Sequence, residues 1–246
     1  MYRIWNSTVP AAIVLACAAS LAADEAKPKI LIIKADAEDE SHSFIARALV
    51  PSRRGGDYDV TVADAEYLAT QPLAGFATIF LNDVKQLTDE QHAALKKTTS
   101  AGAGLCFLLG EKVDIEHYNK KLYAEGKGLL PLPLGKPTEM PQGRAGISAA
   151  KHPVLKVFEG DAEAMLDIVL VNKCHTPADG WNAEDVKSIS VIAKSKSGNP
   201  IALSKPHGDG NTVVFMFPPD RRWANWHFYP AWVVMMHELQ SFMTEY

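Results

Sequence analysis

The strongest constraint in this sequence is a repeated switch between short, wholly apolar runs and segments of helical periodicity across residues 29–109. Lys29-Ile30-Leu31-Ile32-Ile33 has no polar alternation, as expected of a strand covered on both faces. An acidic loop (Asp36, Glu38, Asp39, Glu40) follows. Ser41 is then placed to cap a helix through Phe44, Ile45, Ala48 and Leu49, which Pro51 stops. Residues 58–62 (YDVTV) alternate and are β-branched, and residues 77–81 (ATIFL) form a third apolar run, so both read as strands. Thr88-Asp89-Glu90-Gln91 has capping-box spacing, and it opens a helix that Gly102 closes. Residues 105–109 (LCFLL) are a fourth buried strand. Strands alternating with helices imply parallel pairing through right-handed crossovers, so the predicted fold class is α/β.

The pattern changes from about residue 126. Residues 129–135 (LLPLPLG) cannot be a helix or a central strand, because their prolines lack donors; an extended segment laid over the core is expected. Residues 164–172 and 188–193 read as strands. Residues 200–204 and 212–217 read as a hairpin turning at Gly208-Asp209-Gly210-Asn211. Pro230 suits the first position of a final helix, with Trp232, Met235, Met236, Leu239, Phe242 and Met243 on one apolar stripe.

The 246 residues are 47% apolar and 22% charged with a net charge of −4, which fits a globular chain and excludes the basic footprint of a nucleic-acid binder. Residues 1–23 carry Arg3, an 11-residue apolar stretch and the small residues Ser20 and Ala22, the pattern of a secretory signal. That stretch is short of the roughly 20 residues a membrane span needs. A retained N-terminal anchor, or lipidation at Cys17, are the competing readings. Export to the periplasm or cell envelope is therefore expected, with residues 24–246 as a single domain, no stable membrane span after signal removal and an envelope protein as a candidate partner. Cys106 lies mid-strand and reads as a buried free thiol, although an oxidising compartment would permit a bridge to Cys174.

The element order, with "YDVTVAD", "FATIFLNDVKQLTDEQHAAL" and "AGAGLCFLLG", resembles ThuA-like (trehalose-utilisation) proteins within the class I glutamine amidotransferase-like superfamily. "GLLPLPLG", "HPVLKVF" and "DRRWANWHFYPAWVVMMHELQSFM", with the stretch from "LNDVKQLT" to "HYNKKLY", resemble the C-terminal domain of Bat-type membrane proteins that also carry von Willebrand A modules. The resemblance implies a flavodoxin-like, class I glutamine amidotransferase-like three-layer sandwich with a mainly parallel sheet and a partly antiparallel C-terminal extension. Catalytic members of the superfamily place a cysteine on a tight turn after the fourth strand. Here that turn reads Leu109-Gly110-Glu111-Lys112-Val113, and Cys106 lies four residues upstream of Gly110 within the strand. Glutamine hydrolysis through a thiolate is thus not expected, because such chemistry needs an exposed, electropositive thiol. ThuA-like proteins carry a histidine-bearing stretch after this strand, for which His117 is the nearest candidate.

Ligands bind open α/β sheets beyond the carboxyl ends of their strands. Asp36, Asp83 and Glu111 each follow a predicted strand, so with His117 they are the candidate ligand-binding residues; a solvated loop is the alternative reading of each carboxylate. If the three carboxylates converge, their repulsion raises at least one pKa. Arg221, Arg222, Trp223 and Trp226 form a candidate partner surface, with packing of the strand-to-helix junction or sugar stacking as alternatives. No histidine or cysteine pair has the spacing of a zinc site, and neither metal nor cofactor is expected. Two functions follow: an exported, non-catalytic module that binds a protein or small ligand, or a ThuA-like hydrolase or sugar-modifying enzyme using carboxylates.

Overall fold

A computed structural model describes residues 26–36, 38–51, 56–140 and 146–244. The expected signal segment, with Cys17, lies outside these residues. The first half builds β1 (Lys29–Ile33), α1 (His42–Leu49), β2 (Asp59–Ala63), a single turn α2 (Tyr67–Thr70), β3 (Phe76–Asn82), α3 (Asp89–Ser100) and β4 (Gly104–Leu108). After a one-turn α4 (Ile115–His117) come the short strands β5 (Thr138–Glu139) and β6 (Ile147–Ala149), a turn α5 (Ala164–Asp167) and β7 (Lys173–Cys174). The chain closes with β8 (Ser190–Ser195), β9 (Pro200–His207), β10 (Gly210–Phe215) and α6 (Pro230–Thr244).

Eight strands form one sheet in the order β2-β1-β3-β4-β10-β9-β8-β6. From β2 through β10 neighbouring strands run parallel, and β9, β8 and β6 extend the sheet with antiparallel pairing. The molecule is thus a mixed α/β protein of flavodoxin-like fold, with the antiparallel extension contributed by the C-terminal half. β5 and β7 pair separately. The central strands are buried on both faces: residues 30–33 of β1 and the whole of β4 are inaccessible or nearly so. This accounts for their unbroken apolar sequence, because each face carries its own layer.

α6 packs on α1 and on β3, β4 and β10. Trp232 Nε1 donates to the Phe44 carbonyl at 3.2 Å and His237 Nε2 to that of Ala48 at 3.1 Å, joining the two helices. Trp232, Met235, Met236, Leu239 and Met243 are buried as the stripe predicts, while Phe242 is half-buried against His152. α3 begins at the expected capping box: Thr88 Oγ1 accepts from Gln91 N at 3.2 Å and Gln91 Oε1 from Thr88 N at 2.8 Å. Gly102 follows the helix at φ 110°, a conformation that favours glycine.

Four local expectations are corrected. Ser41 is helical in backbone and caps nothing; Asp39 accepts its N–H at 2.9 Å instead, and the serine hydroxyl accepts from Asn82. Residues 164–172 do not form a strand. They contain α5 and then irregular backbone that pairs only at Val171, by an isolated bridge to Ala224. Leu166 alone of the α5 turn is buried, so the run lacks the two covered faces that made residues 30–33 a strand. The hairpin is tighter than expected, since β9 runs on to His207, which pairs with Gly210 and leaves two residues in the turn. Residues 129–135 are laid over the core as expected, with Leu129, Leu130, Leu132 and Leu134 buried, but they are not extended: the backbone bends through 129–132, and only Leu134 makes an isolated bridge, to Pro177. Cys106 and Cys174 are both free and buried. Among the described residues no helix is long and apolar enough to cross a membrane.

Candidate functional site

β1 sits between β2 and β3, so the crossovers leave it in opposite directions and open a crevice beyond the carboxyl ends of β1 and β3. Four segments meet there: the acidic loop after β1, Asp83 after β3, the Gly110-Glu111-Lys112 turn after β4, and residues 218–228 after β10. They enclose a cleft of about 590 Å³. A larger groove of about 750 Å³ lies at the opposite edge of the sheet, lined by Leu73, Phe76, Ala94 and Ala101 with Glu90 and Lys97 as its only charged residues. It offers shape without convergent polar groups, so the chemistry resides in the smaller cleft.

The acidic loop is built by its own side chains. One Asp36 oxygen accepts the backbone N–H groups of Glu38 and Asp39 at 3.0 Å each, and the other pairs with the Lys112 ammonium. That pairing holds the Asp36 carboxyl below its ordinary range and raises Lys112. Asn82, at the end of β3, donates to Asp39 at 2.9 Å and to the Ser41 hydroxyl at 2.6 Å, which pins the loop to the sheet.

Asp83 is the most enclosed of the cleft carboxylates, at 9% exposure. Its backbone has φ 51°, a left-handed conformation that aspartate tolerates better than most residues. This turns the side chain beneath the loop after β4, where it accepts from Lys112 N at 3.0 Å. A Cβ on Gly110 would lie 2.4 Å from the Asp83 carboxyl carbon, so the glycine is what lets the two loops touch. Burial raises the Asp83 carboxyl to about 6; the Lys112 N–H works against this, and the Asp39 charge adds to it. One carboxylate in the cluster is therefore raised, but chiefly by desolvation, with Asp39 rather than Asp36 or Glu111 as its charged neighbour.

Glu111 also lines the cleft, and it pairs with Lys173 at 2.7 Å. Lys173 sits 4.8 Å over the Trp223 ring, whose other contact is a stacked His175 at 5.4 Å between centroids. His175 Nε2 donates to the Gly110 carbonyl at 3.0 Å and so anchors the turn from below. Across the cleft, burial would raise Asp220, but its hydrogen bonds from Arg222 outweigh that and hold it below the carboxylate range. His227 is 8% exposed, between Phe44 (centroids 4.3 Å apart) and Phe228 (4.1 Å). Its Nε2 has no hydrogen-bond partner among the described residues, and burial lowers its pKa to about 4.

Asp36, Asp83 and Glu111 are thus brought together, and His117 is not. It stands on α4, where its Nε2 accepts the backbone N–H of Leu87 at 3.3 Å, a structural use of the ring. Trp223 and Trp226 are each 1% exposed, so they belong to the core and not to a partner surface. The strand-to-helix junction needs large rings to fill it, and Trp226 meets both Phe215 and Trp232 edge-on. Arg221 and Arg222 remain on the surface at the cleft rim. Lys112, His175, Asp220 and His227 are not among the sequence-predicted ligand residues: the two histidines lack the paired spacing of a metal site, and Asp220 stands only as part of the arginine- and aromatic-rich segment. Only Lys112 carried a usable signal, as the neighbour of Glu111 at a strand's carboxyl end. Among the described residues no group of three or more histidine, cysteine, aspartate or glutamate side chains could hold a metal ion.

No protein-family model and no curated protein matches the chain. Solved structures do. A cytoplasmic protein from Salmonella typhimurium LT2 superposes with a TM-score of 0.65 at 15% identity over 88% of this chain and 100% of its own. A putative ThuA-like protein from Bacteroides uniformis gives 0.56 at 14% identity, over 86% of this chain and 89% of its own. A cold-adapted β-galactosidase from Rahnella sp. R3 gives 0.55 at 12% identity, with 86% of this chain aligned to 30% of the enzyme. At these identities the likeness is one of fold: the chain has the architecture of these proteins, a ThuA-like one among them.

Proposed function

We propose that this chain is an exported binding module that takes a small polar ligand in the cleft above β1 and β3, without covalent catalysis. The observation that carries the reading is the convergence of four separate loops on an enclosed carboxylate, Asp83, at the switch point of the sheet. The side chains around it are locked by Asn82, Lys112, His175 and Arg222, a pre-arranged surface of the kind that ligand sites need. The only hydroxyl or thiol lining the cleft among the described residues is Ser41, whose oxygen already accepts from Asn82. Cys106 is inside β4, and burial raises its thiol well above the ordinary value. The pattern of residues 1–23 and the resemblance to Bat-type domains support a cell-envelope setting.

A second reading is favoured by the raised Asp83 carboxyl, which lies in the range useful to a general acid or base. Under it the chain is a ThuA-like hydrolase or sugar-modifying enzyme. Asp83→Asn and Glu111→Ala separate the two. The binding reading predicts that neither wild type nor variants turn over a panel of glycosides, while Asp83→Asn alters the cleft amide resonances and ligand affinity. Wild-type turnover that collapses in the folded Asp83→Asn protein would favour the enzyme. Mass determination of the secreted protein's N-terminus tests export independently.

A further inference from the structure

We propose that the face formed by residues 157–170 docks a basic, amphipathic segment of another protein. Six large apolar side chains stand exposed among the described residues. Four of them, Val157 (46%), Met165 (38%), Ile168 (52%) and Leu170 (43%), fall within this stretch. The turn at 153–158 packs on the turn at 160–163, and the latter on α5, which carries the four along one stretch of surface. Leu170 N donates to Asn225 Oδ1 at 2.7 Å and the Leu170 carbonyl accepts from Asn225 N at 3.1 Å. These bonds tie the stretch to the segment bearing a fifth exposed apolar residue, Phe228, on the cleft rim. A concentration of exposed apolar surface of this kind marks an interaction site on a folded protein. None of residues 157–170 lines the cleft, so the surface is additional to the ligand site.

The charge of the face sets what can cover it. Glu159, Asp161, Glu163 and Asp167 are interspersed with the apolar residues, and residues 157–170 hold no lysine or arginine. Lys196 engages Asp167 at 2.6 Å. The other three carboxylates are exposed and have no ion-pair partner among the described residues. A second copy of the chain is a poor occupant, because a two-fold contact sets the patch against itself, acid against acid. An anionic lipid surface meets the same repulsion. A segment with aliphatic residues on one side and lysine or arginine beside them satisfies both properties. Its aliphatic groups leave water against Met165, Ile168 and Leu170, while its cations face the carboxylates around them. The unbranched, polarizable side chain of Met165 adapts to whichever aliphatic group meets it.

The test titrates the full chain, at low and at physiological salt, with a short amphipathic Leu/Lys peptide, its Leu/Glu counterpart and oligolysine. Backbone amide resonances of Met165, Ile168 and Leu170 report binding at the face. The proposal expects the Leu/Lys peptide to bind more tightly than either control and to move those resonances. Ile168→Ser/Leu170→Ser should weaken it about tenfold or more, as loss of buried interface anchors requires. Asp161→Asn/Glu163→Gln should weaken it by a smaller factor and flatten its salt dependence. All four side chains are exposed, so both variants should keep the wild-type melting temperature, which separates lost docking from lost fold. Binding that both variants leave unchanged, or that moves Gly110 and Lys112 of the cleft in place of residues 165–170, overturns the proposal. Equal binding of the Leu/Glu peptide or of oligolysine does the same. Dimerisation of the wild type that Ile168→Ser/Leu170→Ser abolishes would assign the face to a second copy. Attachment to phosphatidylcholine vesicles that is lost in that variant would assign it to lipid, and either result overturns the proposal. Failure of the Leu/Lys peptide to bind also overturns it, and leaves the reading of the cleft untouched.

Discussion

Asp83 shows how a single residue can be arranged for a site at the expense of the fold. Its backbone is left-handed, its carboxyl is enclosed and its pKa is raised to about 6. A carboxyl bound more tightly to its proton in the folded state than in the unfolded one withdraws stability as pH rises through that interval. The folded protein therefore loses up to about 2–3 kcal/mol at this position between pH 4 and pH 6. Asn keeps an acceptor for the Lys112 N–H and tolerates the same backbone. Asp83→Asn should thus raise the melting temperature at pH 7.5 by several degrees, roughly 4–8 °C, with the gain vanishing below pH 4. His152 and His227 act with the opposite sign. Burial lowers each to about 4, so the unfolded chain takes up protons first and stability falls as pH drops from about 6.5 towards 4. In wild type the two trends partly cancel. In Asp83→Asn the acid-side fall should be steeper, and a set of melting curves from pH 4 to pH 8 reads both slopes.

At the scale of elements, the chain signals its boundaries where a side chain closes them locally. Thr88 and Gln91 satisfy orphan donors at the start of α3 through contacts three residues apart, which is why the spacing alone identified that helix. Thr88→Ala should cost about 1 kcal/mol, a downward shift of roughly 2–4 °C in melting temperature for a domain of this size. The cleft should be left unchanged, as binding at unaltered affinity would verify. The Ser41 assignment failed for the converse reason. The start of α1 is set by a long-range neighbour, Asn82, which holds both Asp39 and the serine hydroxyl. Residues 164–172 failed similarly: an apolar run reads as a strand only if two layers cover it, and here Met165, Ile168 and Leu170 face solvent.

At the scale of the molecule, β4 and β10 lie near the middle of the sheet and are buried throughout, so access to them requires global opening. Cys106, on β4, and Cys174, on β7, are both inaccessible. Neither thiol should react with an aromatic disulfide reagent under native conditions, and both should react at once after denaturation. The native labelling rate should follow global unfolding and not a local loop motion. A fast native thiol would contradict the placement of Cys106 within β4, and its absence even in denaturant would contradict the free state of the two cysteines.

The sequence by itself determined the alternating α/β class, the four parallel strands of the first half, the capped α3 and the apolar stripe of α6, because each is encoded within a few residues by periodicity, capping spacing or an unbroken apolar run. It also identified Asp36, Asp83 and Glu111 as lying beyond strand carboxyl ends, since that position follows from strand order along the chain. Only the tertiary structure decided which side chains share the cleft. His117 proved to be spent on the Leu87 N–H, while His227 and Asp220, more than a hundred residues from Asp83, came to line the same cleft. It likewise decided that Trp223 and Trp226 fill the core, and that burial is what raises Asp83. Such properties depend on which surfaces meet after the chain has folded, and distance along the sequence carries no information about that.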